Sequence, residues 1–123
     1  MAINLEKLNA ILQSFVSGTN DVQGVALVTP DGLPLASILP SEMDEERVAA
    51  MSAAMLSLGE RIGGELARGS MDRIFVEGNS GYGILIDCGS DAVLLALASR
   101  AAKQGILMLE IKRAVEEIKL ILH

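Results

Sequence analysis

A chain of 123 residues, half of them hydrophobic, has room for one core and therefore one domain, residues 1–123. Its 16 acidic residues against 10 basic ones give a net charge of −6, which repels phosphate backbones, and no stripe of Lys and Arg offsets it, so nucleic acid is excluded as a partner. Aromatic residues make up only 2 % (Phe15, Phe75 and Tyr82), so the core must be aliphatic and stacking on bases or sugars is almost ruled out.

Leu5, Leu8, Ile11, Leu12, Phe15 and Val16 recur at spacings of three and four, one face of a first helix that Gly18 closes. Two apolar runs follow, residues 25–28 and 33–38, joined by Thr29-Pro30-Asp31-Gly32. Proline pre-sets φ, aspartate bonds its own backbone and glycine tolerates positive φ, so this segment predicts a β-hairpin. A long helix is predicted over 41–68. Ser41 stands as its N-cap with Asp44 reaching back, Glu42, Glu45 and Glu46 lie in its first turns, and Arg68-Gly69 ends it. At 1.5 Å per residue such a helix is about 40 Å long, more than a small domain needs for its own core.

Residues 74–76, 82–86 and 92–98 predict three further strands, joined by Gly78-Asn79-Ser80-Gly81 and Gly89-Ser90-Asp91. Several are apolar on consecutive residues, which implies helices on both faces of the sheet. A last helix over 103–122 carries Leu107, Ile111, Ala114, Ile118 and Ile121 on one face, with Glu110 near Arg113 and Lys112 near Glu116 on the other. The order is α-β-β-α-β-β-β-α, an α+β fold.

Catalytic chemistry finds little here. Nucleophilic triads need a positioned histidine, and His123 is the sole one, at the end of the chain, where it resembles a tag remnant. One Cys and one His make no zinc site, so neither metal nor cofactor is expected. The Gly78–Gly83 segment looks like a phosphate loop, but a strand follows it where a phosphate-binding helix is required. Asp31, Asp87 and Asp91 read as turn and strand-end residues, and Cys88 has no neighbour in sequence that lowers its pKa. The expectation is a protein that is not an enzyme. A single cysteine also fits a reducing compartment. The first residues show no basic region ahead of an apolar run, and the longest uncharged helical stretch, residues 48–59, is short of the ~20 needed to cross a bilayer. A cytoplasmic location without a membrane span is expected.

On a helical wheel the central helix carries a stripe of Val48, Met51, Met55, Leu58, Ile62 and Leu66, read here as core against the sheet. Beside it runs a strip of mostly small residues: Ala49, Ser52, Ala53, Leu56, Gly59 and Gly63. Glycines inside a helix cost about 1 kcal/mol each relative to alanine, and they thin one side so that another backbone can approach. Tight packing against the sheet accounts for that strip; a second copy of the chain accounts for it equally well, and for the length of the helix besides. Strand residues Arg73, Phe75 and Glu77 belong to a segment without proline that a five-stranded meander could place at its edge, where it would be open to pairing. The expected dimer interface is therefore Ala49, Ser52, Ala53, Leu56, Gly59, Gly63, Arg73, Phe75 and Glu77.

These elements carry a resemblance. Val22-Gln23-Gly24-Val25-Ala26-Leu27-Val28, Asp31-Gly32, Leu35-Ala36-Ser37, the helix with Ala49, Ala53, Leu58, Gly59 and Leu66, and Ile74-Phe75-Val76-Glu77-Gly78 together resemble the Roadblock/dynein light chain domain family. The likeness covers essentially the whole chain and is strongest to the prokaryotic single-domain, MglB-like regulators of Ras-like GTPases. It implies a profilin-like sheet of strand order 2-1-5-4-3, with the central helix on one face and the terminal helices on the other. It further implies a homodimer with third strands paired and central helices side by side, serving as platform, regulator or adaptor for a small Ras-like GTPase. The face for that GTPase is expected at Arg47, Ala50, Ala54, Ser57 and Arg61. No catalytic residue transfers with the resemblance. The alternative reading is a small-molecule-sensing or structural adaptor domain of the same fold, which needs a cavity with converging polar groups.

Overall fold

The computed structural model describes residues 4–89 and 91–122; His123 and Ser90 of the Gly89-Ser90-Asp91 joint lie outside them. Eight elements follow in the expected order: α1 (Leu5–Gly18), β1 (Val22–Val28), β2 (Pro34–Ile38), α2 (Glu45–Glu65), β3 (Arg73–Gly78), β4 (Gly81–Asp87), β5 (Val93–Ala98) and α3 (Gln104–Leu122). Every neighbouring pair of strands is antiparallel, and the sheet order is β2-β1-β5-β4-β3.

Local chemistry explains the ends. Asn4 caps α1 by accepting from the Lys7 amide. The first hairpin turns at Gly32, whose φ of +95° suits glycine, while the Leu33 carbonyl accepts from the Thr29 amide at 2.8 Å. The central helix is shorter than expected. Asp44, not Ser41, is its N-cap, accepting from the Glu46 amide, and residues 41–43 form a turn closed by the Met43 amide on the Pro40 carbonyl. Its other end comes at Glu65, because Ala67 turns to a φ of +57° and Gly69 to +96°. Twenty-one residues give roughly 32 Å, so the inferred excess of length disappears.

The sheet separates two apolar layers. On one side α1 and α3 bury Leu8, Leu12, Phe15, Leu107, Ile111 and Ile118 against Val25, Leu27, Ile84 and Leu94. On the other, α2 sets Val48, Ala49 and Leu56 against Ala26, Val28, Leu85, Val93 and Leu95. Consecutive residues of β4 and β5 thus fall into different layers, which is why both strands are apolar without alternation. β3 is different: it lies at the sheet edge, and all its residues except Ile74 are exposed.

Candidate protein-interaction surface

The orientation of α2 decides what this surface is. Its buried residues are Val48, Ala49, Ser52, Leu56 and Gly63. Met51, Leu58, Ile62 and Leu66 are instead 49 % to 62 % exposed, and Met55 is half-buried. Apart from Val48 and Met55, which packs against the sheet-facing core, the stripe expected to be core is therefore the side flank of the helix, and the small strip is what faces the sheet. The physical reason is close approach. A Cβ added at Gly59 would lie 2.6 Å from Cδ1 of Ile74, and one at Gly63 would lie 2.3 Å from the Gly69 carbonyl oxygen. Ser52 satisfies its buried hydroxyl by donating to the Val48 carbonyl at 2.9 Å. Small residues here let the helix sit low on its own sheet and on the loop that follows it.

Of the residues expected at a dimer interface, Ala49, Ser52, Leu56 and Gly63 are thus enclosed in their own protomer, and Ala53 and Gly59 are half-buried. Arg73, Phe75 and Glu77 are exposed at the β3 edge. The five residues expected to meet a GTPase, Arg47, Ala50, Ala54, Ser57 and Arg61, all lie exposed on the outer crest of α2, where Arg61 donates to Glu65 at 3.0 Å. Between crest and sheet runs the apolar flank that sequence reasoning assigned to the core. It leads into an open cleft of about 330 Å³ lined by Met55, Leu58, Ile62, Met71 and Ile74. Helix flank, cleft and free strand edge make one continuous face. In a single chain Met51, Leu58, Ile62 and Leu66 leave about half of their apolar surface in solvent.

The edge also gathers two of the three aromatic rings. Phe75 and Tyr82 lie 5.3 Å apart between centroids, tilted by 54°. Arg100 stacks over Tyr82 at 5.2 Å and donates to Glu77 at 2.7 Å and to the Gly78 carbonyl at 3.4 Å. The hydrogen bond to Glu77 holds the guanidinium still more firmly charged. Nothing in the sequence marks Arg100 for this role, since its hydrogen-bond partners are more than twenty residues away.

The groups weighed for catalysis do not converge. Asp31 and Asp91 are exposed at turns, and Asp87 is exposed at the end of β4. Loss of solvent around Asp87 pushes its carboxyl up; Lys119 opposes this, Glu60 adds to it, and the Gly89 amide opposes it. A cleft of about 360 Å³ joins Asp87 and Arg73 with Lys112, Glu116 and Lys119, but Cys88 does not line it. That thiol is 1 % exposed, and burial pushes it up to about 12. At neutral pH it is a protonated core group, not a nucleophile. Its folded value exceeds the unfolded one, so the protonated state supports folding fully below pH 9.0, and the support fades as pH rises toward about 12. Denaturant titrations should show roughly 1 kcal/mol lost at pH 10 from this group. Cys88→Ala should flatten that slope; an unchanged slope would show that the thiol ionises freely in the fold.

The comparisons with known proteins agree with this architecture. The Roadblock/LC7 domain family pattern matches residues 8–98. An uncharacterised protein of Methanocaldococcus jannaschii is 34 % identical over 101 residues, covering 82 % of this chain and 88 % of that one. Among solved structures, Myxococcus xanthus MglB overlays with a TM-score of 0.92 at 21 % identity, covering 99 % of this chain and 92 % of MglB. An MglB in a tetrameric arrangement gives 0.83 at 18 % identity, covering 95 % and 88 %. Acanthamoeba castellanii profilin IA gives 0.65 at 13 % identity, covering 90 % and 95 %, so the fold is profilin-like. With a matching family pattern over most of its length and the expected sheet order, the chain belongs to the Roadblock/LC7 domain family.

Proposed function

We propose that this chain is a homodimeric, cytoplasmic interaction module that binds a small Ras-like GTPase and regulates or scaffolds it, without catalytic groups of its own. The observation that carries the reading is the apolar flank of Met51, Leu58, Ile62 and Leu66, exposed and continuous with the open edge of β3. A second copy covers that flank, while the crest of Arg47, Ala50, Ala54, Ser57 and Arg61 stays in solvent for the GTPase. Likeness to MglB-like proteins supports the choice of partner, and the small, polar-capped crest suits a flat protein surface better than a small molecule.

Light scattering after size exclusion tests the dimer: twice 13.0 kDa is expected, and a monomer at tens of micromolar overturns it. For the crest, Arg47→Glu/Arg61→Glu should remain dimeric and bind the GTP- or GDP-loaded Ras-like protein at least roughly tenfold more weakly, as loss of arginine anchors at an interface does. Unchanged capture of the GTPase would place its docking face elsewhere.

A further inference from the structure

The edge of β3 has a chemistry of its own. It reads Arg73-Ile74-Phe75-Val76-Glu77, and its pairing with β4 runs without a bulge from Arg73↔Ile86 to Gly78↔Gly81. Only Asn79 and Ser80 stand between the last two, so Gly78 and Gly81 form the closing hydrogen-bonded pair of a two-residue hairpin. Alternation then commits the amides and carbonyls of Val76 and Ile74 to β4. Those of Arg73, Phe75 and Glu77 point outward, at the free edge.

We propose that β3 recognises β3 of a second copy in a single register, with Phe75 on the two-fold axis, Arg73 opposite the partner's Glu77 and Glu77 opposite the partner's Arg73. This rests on the homodimer reading and adds to it how a copy selects its own kind. Symmetric antiparallel pairing about Arg73 or Glu77 sets like charges against each other. An axis at Ile74 faces Arg73 with Phe75, and one at Val76 faces Glu77 with Phe75, leaving the charges unmatched. Centring on Phe75 alone pairs all five residues, matches both charges, sets Ile74 against Val76, and engages every outward amide and carbonyl in about six ladder bonds.

The side chains stand ready for this arrangement. Glu77 is held by Arg100 at 2.7 Å, and Phe75 is braced by Tyr82 at 5.3 Å, so little freedom is lost on pairing. Arg73 is exposed and stands in no ion pair among the described residues. Its natural place is the far side of the partner's Glu77 carboxylate. Two opposite-charge pairs repeated by symmetry reward a self-match, and a relative with other charges at these positions forfeits both.

The test uses full-length chains. Arg73→Glu alone and Glu77→Arg alone should each self-associate at least roughly tenfold more weakly, because each sets like charges opposite each other twice. An equimolar mixture of the two should form a mixed dimer near parental affinity, and the intrachain swap Arg73→Glu/Glu77→Arg should pair with itself. Phe75→Cys should cross-link into a disulfide dimer on mild oxidation, since directly opposed residues fall within disulfide reach, whereas Ile74→Cys should not. If the parent is a dimer while the single variants associate as tightly as it does, or Phe75→Cys stays unlinked, the register is wrong and the dimer stands. A monomeric parent overturns both.

Discussion

A Leu58→Glu/Ile62→Glu variant should run as a folded 13.0 kDa monomer at concentrations where the parent chain is dimeric. Both residues are about half exposed in the single chain, so glutamate there reaches solvent and folding loses about 2 kcal/mol of apolar contact, too little to unfold a typical domain. In the proposed dimer the same positions are covered by a second α2. Four carboxylates would then be stripped of water without partners, at several kcal/mol in total, and the dissociation constant should rise about a hundredfold or more. Circular dichroism and light scattering on the same sample check it. Retained dimerisation would mean that the apolar flank does not touch the second copy.

The largest folding effect is expected at Gly63. An added methyl there meets the Gly69 carbonyl oxygen at 2.3 Å, and that segment cannot withdraw, because the amides of Arg68 and Gly69 both donate to the Gly63 carbonyl at 2.7 and 3.0 Å. Gly63→Ala should therefore lose about 2–3 kcal/mol by overpacking, despite alanine's better helix propensity. Its neighbour supplies the control. Gly64 is exposed with nothing within 4 Å of an added Cβ, so Gly64→Ala should gain up to about 1 kcal/mol. Urea unfolding of both variants separates close packing of the loop from plain helix propensity. Equal effects would remove the packing explanation.

Much of the fold was legible because its signals are local. Periodicity marked α1 and α3, Pro30-Asp31-Gly32 marked the first hairpin, and consecutive apolar residues in β4 and β5 required cover on both faces. The pairing of β1 with β5 spans most of the chain and has no local signal, so the strand order was readable only through family resemblance. The start of α2 is ambiguous in sequence because Ser41 and Asp44 are both good caps; only the turn at residues 41–43 decides between them.

The interaction surface was legible in content but not in orientation. A wheel shows that Met51, Leu58 and Ile62 share a side with Val48, but intermolecular and intramolecular burial demand the same hydrophobic side chains. The usable signal was Gly59 with Gly63, one turn apart and next to Leu56 and Ser52: small residues mark where a backbone comes closest, and here that is the protomer's own sheet and loop.

The placing of Tyr82 has a consequence outside stability and recognition. The chain has no tryptophan and one tyrosine, so above the phenylalanine band all its intrinsic ultraviolet emission comes from a single ring. That ring sits between Phe75 and the Arg100 guanidinium, one strand in from the open edge. The protein carries an unlabelled optical reporter, fixed by its own fold beside the edge strand through which it would meet a copy of itself.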